Sequence, residues 1–331
     1  MQNIRKILVA VKNPDARSQP GVDKAVHIAK LFGASVELFN ALSNPIFLDL
    51  EPPTGHTLGE IKREALELRA LRLEKLAARA RQRGVKATTA VEWDFPPQEA
   101  IVRRAAATKA DLIIAECHQG LRLKPWLMHL TDWELLRISP LPVLLLKNGR
   151  KWREPVILAA VDPSHAHEKP ARLDLAIVAQ ATALARATRG TFELMHANFP
   201  AGFGMLLGDP AIDAVSLAAT YEQQKERSRA DFDAFAQKAR IPRASRHLVD
   251  SDPVFGLPMI ARKIGADVVV MGAVSRSGLK RVFIGNTAER VLNDLPCDVF
   301  VVKPVHVAPP VAARPRGVRV VPPQPIAPSF T

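Results

Sequence analysis

Between residues 266 and 290 the chain gathers residue types that could hold an anion. Ala266-Asp267-Val268-Val269-Val270-Met271 is an apolar, β-branched run that ends at Gly272 and the small residues Ala273-Val274-Ser275. Gly285-Asn286-Thr287 then opens a second stretch, Ala288-Glu289-Arg290, of helical character. A strand, a glycine turn and a helix N-terminus in succession leave free backbone N–H groups facing outward, and the helix dipole favours negative charge there. The Asn286 amide and the Thr287 hydroxyl can each donate to a phosphate oxygen, and both are also ordinary helix N-caps. Arg276, Lys280 and Arg281 flank the loop and could pair with phosphates, or simply form a basic loop.

Other chemistry is hard to assemble from this sequence. It has no GxxxxGK[ST], GxSxG or HExxH and no paired-cysteine metal spacing. Glu116 and His118 suggest an acid–base pair, but a one-residue gap sends them to opposite sides of an extended chain. His165 and His167 form the closest histidine pair, in a loop after Asp162, and a metal site there has little support. Cys117 and Cys297 each border an apolar run without a ligand spacing, so they read as free thiols in a reducing compartment.

The elements that must position the loop occur twice. Ala110-Asp111-Leu112-Ile113-Ile114 and Ala266-Asp267-Val268-Val269-Val270 lie 156 residues apart. Pro142-Val143-Leu144-Leu145-Leu146-Lys147 matches Asp298-Val299-Phe300-Val301-Val302-Lys303 at the same offset, and Val36-Glu37-Leu38 matches Phe192-Glu193-Leu194. The first strands, 6–11 and 156–161, align at an offset of 150, so the second copy carries about six extra residues in 163–169. A chain of 331 residues suits two such units, and its 47% hydrophobic content with 5% aromatics calls for aliphatic cores.

Each copy alternates short apolar runs with helical stretches of ten or more residues, which implies parallel strands joined by right-handed crossovers. Runs apolar on both faces, such as 112–114 and 143–146, fit a sheet covered on both sides. In 58–83, Leu58, Ile61, Ala65, Leu68, Leu71 and Leu76 recur at helical spacing as the expected apolar face, ended by Gly84. The expected class is α/β: two tandem Rossmann-like, doubly wound domains, each a five-stranded parallel sheet flanked by helices. The expected domains are 1–148 and 156–304, with a linker at 149–155 and a disordered Pro-rich tail at 305–331.

The glycine-loop spacing resembles that of the universal stress protein family, whose usual form is Gly-x2-Gly-x9-Gly-Ser/Thr. Here it reads Gly272-x2-Ser275-x9-Gly285-Asn286, with two of the four positions kept. Over about residues 4–304 the chain is similar to the tandem, E-like type, in which two domains share one chain. The resemblance implies ATP or a related adenine nucleotide as ligand of the second domain only. Asp162, directly after the first strand, would meet the nucleoside end, although Asp before Pro is also a common turn. Gly272, Ser275, Gly285, Asn286 and Thr287 would surround the phosphates, with the Ser275 side chain impeding close backbone approach. The first domain departs from the pattern: Lys12 stands where the aspartate should be, Glu116 aligns with Gly272, and His129 aligns with Gly285. Its site is therefore expected to be degenerate.

The resulting expectation is a non-enzymatic stress-response protein, with slow ATP hydrolysis not excluded. The alternative is a nucleotide-free scaffold or a module for an apolar, lipid-like ligand, suggested by the apolar loops 44–48 and 199–207. Net charge is +13, which attracts polyanions, yet no nucleic-acid motif accompanies it, so no specific nucleic acid is expected. No apolar stretch approaches the roughly 20 residues that a membrane-spanning helix needs. The chain enters a strand within its first residues, and a cytoplasmic location is expected. Family members usually dimerise through their last strand. Here 143–146 and 299–302 could pair within one chain, giving a monomer with possible regulatory protein partners.

Overall fold

The computed structural model describes residues 4–42, 46–47, 58–117, 131–164, 172–199, 214–272, 286–303, 311–312 and 320–321, with backbone alone at 46–47, 58, 131–133, 214–217, 286–289 and 320–321. In the first half, strands β1 (Lys6–Ala10), β2 (Ser35–Leu42), β4 (Ala87–Trp93), β5 (Leu112–Glu116) and β6 (Val143–Leu146) alternate with helices α1 (Pro20–Phe32), α2 (Leu58–Gln82), α3 (Pro97–Ala107) and α4 (Thr131–Ile138). The second half repeats this with β7 (Val156–Ala160), β8 (Thr191–Ala197), β9 (Arg246–Val249), β10 (Val268–Gly272) and β11 (Asp298–Val302). Its helices are α5 (Arg172–Thr188), α6 (Ala214–Lys238), α7 (Pro253–Lys263) and α8 (Asn286–Asp294). Two short strands stand apart, with β3 (Ile46–Phe47) parallel to β12 (Val320–Val321).

Ten strands form one sheet in the order β4-β2-β1-β5-β6-β11-β10-β7-β8-β9. Each half contributes five parallel strands, and the two sets meet where β6 and β11 pair antiparallel, Leu144 opposite Phe300. These are the two strands the sequence offers as mutual partners. Pairing them removes two exposed apolar edges at once.

Successive side chains on a strand point to opposite faces, and the cores follow that alternation. Val9, Ile114, Leu144, Phe300, Val270 and Ile157 join one layer with α1, α2, α5 and α6. Leu8, Ile113, Leu145, Val299, Val269 and Leu158 join the other with α3, α4, α7 and α8. Both layers run unbroken across the junction between the halves.

The repeated Ala-Asp dipeptides have a structural task. Asp111 accepts from the backbone N–H groups of Arg5 and Lys6 at 2.8 and 2.9 Å, and Asp267 accepts from Val156 at 3.0 Å. Each carboxylate thus ties the entrance of a fourth strand to that of a first. The apolar face expected for α2 needs correction. Ile61, Leu68 and Leu71 are exposed, Leu71 by 64%, whereas Leu73, Leu76, Ala77 and Ala80 are buried. The buried set follows the i, i+3, i+4, i+7 rule in the C-terminal half alone. Ile61, Leu68 and Leu71 fall off that stripe, whereas half-buried Leu66 continues it.

The halves are also exchanged at their last helices. Lys147, just beyond β6, donates to the carbonyls of Leu292, Asn293 and Leu295 at 2.7, 3.0 and 2.6 Å, at the end of α8 in the other half. Lys303, just beyond β11, donates to the Leu136 carbonyl near the end of α4. A cation at a helix C-terminus satisfies orphan carbonyls and complements the dipole. Because 147 and 303 are equivalent positions, the interface has approximate two-fold symmetry within a single chain.

From the proline-rich tail only 311–312 and 320–321 are described. Val311 packs against the second core layer, and Arg103 donates to the Ala312 carbonyl at 3.3 Å.

Candidate functional site

In the second half, strand order reverses between β7 and β10, which lie side by side with Ala160 opposite Met271. Crevices beyond the carboxyl ends of strands at such a reversal are where open α/β sheets hold ligands. Gly272 ends β10 at this edge, and Asp162 lies two residues beyond the end of β7. Asp162 is partly exposed. Its carboxylate accepts from Ser164 Oγ at 2.7 Å, and its backbone N–H donates to Asp174 Oδ1 at 3.1 Å. The loop is thus held from below by buried Asp174 on α5.

Gly272 has a packing reason of its own. A Cβ placed there would lie 2.7 Å from Leu173 Cδ2 and 3.3 Å from Ile177 Cδ1, so α5 sits directly against the strand end. Ser275 and Gly285 lie outside the described residues. Asn286 and Thr287 begin α8, and their side chains lie outside the described residues. The same holds for Arg276, Lys280 and Arg281, for His165 and His167, and for most of the apolar loops 44–48 and 199–207. Among the described residues no group of His, Cys, Asp and Glu is arranged to hold a metal.

The first half closes the equivalent place. Glu116 ends β5 where Gly272 ends β10, and its Oε1 accepts from the backbone N–H of Gly21 at 2.7 Å. Gly21 lies in the first turn of α1, so the carboxylate sits where a free anion would sit on that helix. A Cβ at Gly21 would lie 2.8 Å from that oxygen. Gly21 and Ile177 are 156 residues apart, like Glu116 and Gly272. Small helix residue with large strand residue in one half becomes the reverse in the other. Glu116→Ala frees a first-turn N–H and is expected to cost about 1 kcal/mol, the scale of a lost helix cap. Urea unfolding of the full chain checks this, and an unchanged midpoint would refute the capping role.

A second polar cluster escaped the sequence reading. Asp298 is fully buried at the start of β11. Its carboxylate accepts from the Lys147 and Asn148 backbone N–H groups at 3.0 and 3.3 Å and from Trp152 Nε1 at 3.1 Å. Lys24 Nζ on α1 approaches it at 3.1 Å, donates to the Arg150 carbonyl at 2.6 Å, and lies 4.2 Å from the centroid of the Trp152 ring. Burial pushes the Asp298 carboxyl up and the Lys24 ammonium down, and each charge partly restores the other. The cluster clamps the linker between the halves. One signal was present: an acid, Asp298, stands where the first copy has Pro142 at the head of an apolar strand.

The two cysteines are free, Cys297 buried and Cys117 partly so. Burial pushes the Cys297 thiol up to about 12, which makes it inert at neutral pH.

A repeated five-stranded doubly wound unit defines a tandem, Rossmann-like α/β class of protein. The family model for the universal stress protein family matches residues 3–147 and 156–303, so the chain belongs to that family and carries its domain twice. It is 27% identical to Universal stress protein E of Salmonella typhi over 313 residues, which cover 92% of this chain and 96% of that protein. Identity to Universal stress protein E of Escherichia coli K12 is 26% over the same shares. A functionally unknown protein from Pseudomonas aeruginosa PAO1 superposes with a TM-score of 0.67 at 27% identity, covering 92% of this chain and 94% of that one. A universal stress protein from Archaeoglobus fulgidus shares the fold, with a TM-score of 0.60 at 17% identity over 91% and 97% of the two chains. Among the described residues no helix is long and apolar enough to cross a membrane.

Proposed function

We propose that this stress-family protein binds ATP or a related adenine nucleotide in its second half and acts through the bound state rather than by turnover. The observation that carries the reading is the contrast between equivalent strand ends. Asp162 and Gly272 flank the reversal of strand order in the second half, while Lys12 and Glu116 hold the same places in the first. Glu116 is already engaged by Gly21, which supports one open cradle per chain. Asp162 offers acceptors for the nucleoside, and the start of α8 at Asn286 offers N–H groups for phosphate. Ser275, Gly285, Asn286 and Thr287 complete the cradle in this reading. Occupancy would change the loop after β10 and, through it, the surface offered to regulatory partners in the cytoplasm. The intramolecular β6–β11 pairing supports a monomer.

Isothermal titration of ATP into the full chain tests this. One site per chain is expected, and Asp162→Ala is expected to weaken it about tenfold, the scale of one charge-assisted hydrogen bond. No heat at millimolar ATP with folded protein refutes nucleotide binding. Phosphate release in the same sample would refute binding without turnover.

A further inference from the structure

A cavity of about 230 Å³ lies between α1 and the linker. Pro20, Asp23, Lys24 and His27 of α1 line one side, Arg83 beyond α2 the next, and 149–153 of the linker the remainder. Its charge is lopsided. Asp23 is the one acid in the lining, and Arg83 already pairs with it at 2.5 Å. Lys24 is matched by Asp298. Arg150, Lys151 and Arg153 are exposed and have no carboxylate partner among the described residues, so the cavity holds three uncompensated cations.

His27 adds an independent sign. Its Nε2 is buried and has no hydrogen-bond partner among the described residues. Buried polar atoms are rarely left so, and each exception asks for a reason. Burial first, then the charges of Lys24 and Arg83, hold the imidazole below its ordinary value, so the site is short of negative charge.

We infer that the cleft between α1 and the interdomain linker is a second ligand site, built for a small phosphate-bearing molecule. Two arginines on one linker can present N–H forks to phosphate oxygens, and His27 Nε2 supplies a further donor. The volume falls below the roughly 300 Å³ at which drug-sized pockets begin, which suits a pyrophosphate or a compact phosphomonoester. Lys24, held by Asp298, and Trp152 belong to the same lining. A ligand there bridges α1 and the segment that joins the halves, so it would stiffen the junction.

The experiment titrates inorganic pyrophosphate into the full chain at about 0.15 M salt, where the field of distant charges is screened beyond about 8 Å. The His27 ring proton, assigned with His27→Gln, is followed by NMR across pH. Bound pyrophosphate is expected to shift this resonance and raise its titration midpoint, because the anion offsets the repulsion from Lys24 and Arg83 and from Arg150, Lys151 and Arg153, while Asp23 stays paired. Arg150→Gln with Arg153→Gln, both on the surface, is expected to weaken binding at least about tenfold. Asn286→Asp, which sets a like charge at the start of α8 where the proposed crevice would take phosphate, is expected to leave it unchanged, which separates this site from the nucleotide crevice. A His27 resonance indifferent to pyrophosphate up to about 10 mM, weaker than any specific site, would overturn the proposal. So would an unchanged affinity in the Arg150→Gln, Arg153→Gln variant, or loss of the effect in Asn286→Asp.

Discussion

Asp298→Ala is expected to lower the unfolding free energy by about 3–5 kcal/mol, the cost of leaving one member of a buried ion pair without the other. The carboxylate is fully buried, and Lys24 across from it is nearly so, with 3% of its side chain accessible. Removing Asp298 deprives Lys24 of its counter-ion, Trp152 Nε1 of its acceptor and the Lys147 and Asn148 N–H groups of theirs. These groups come from α1, from the linker and from the segment after β6, so the loss falls on the joint between the halves. Urea unfolding of the full chain at pH 7 reads the effect. A cost below about 1 kcal/mol, the range of an exposed pair, would show that water enters the cluster and that it does not clamp the linker.

Lys303→Met is expected to act the other way, raising stability at pH 7 by about 2 kcal/mol. Burial pulls the Lys303 ammonium down from 10.5 to about 8. Depression of that size corresponds to about 3 kcal/mol against the charged form, and the lost bond to the Leu136 carbonyl returns about 1 kcal/mol of it. The pH signature is specific. A cation whose folded pKa lies below its unfolded one contributes fully above the unfolded value, and the contribution is lost as pH falls through the folded one. The wild-type chain should therefore gain stability relative to Lys303→Met between about pH 8 and 10.5, and the methionine advantage should vanish above that window. Other lysines titrate equally in both proteins and cancel. A variant less stable than wild type at pH 7 would mean that the helix cap outweighs the burial.

Most of the architecture was readable because it is written twice. The Ala-Asp and strand matches at an offset of 156 give the domain count, and continuous apolar runs give a sheet covered on both faces. Boundaries were legible where chemistry marks them. Gly33 closes α1 with a positive φ of 66°. Helix α1 begins at Pro20, because proline suits the first turn of a helix. The exposed residues of α2 mislead because Ile61, Leu68 and Leu71 keep helical spacing among themselves on a face turned away from the one that Leu73, Leu76, Ala77 and Ala80 bury. Of the site residues, Asp162 and Gly272 stand at the edge their sequence context implies. The Glu116–Gly21 bond could not be foreseen, since its partners are 95 residues apart and joined by topology alone. The Lys24–Asp298 pair hid for the same reason.

That last pair has a consequence for how the two copies could diverge. Moving Lys24 and Asp298 to the equivalent places in the opposite copy reaches Gln180 and Pro142, neither of them charged. The ionic bond therefore exists on one flank of the pseudo-dyad alone. An assembly of identical subunits would be obliged to repeat every such bond, and every closed or open cradle, on both flanks. Covalent fusion lifts that obligation, so one copy can become a permanent mould for its sibling while the sibling stays free to respond to small molecules.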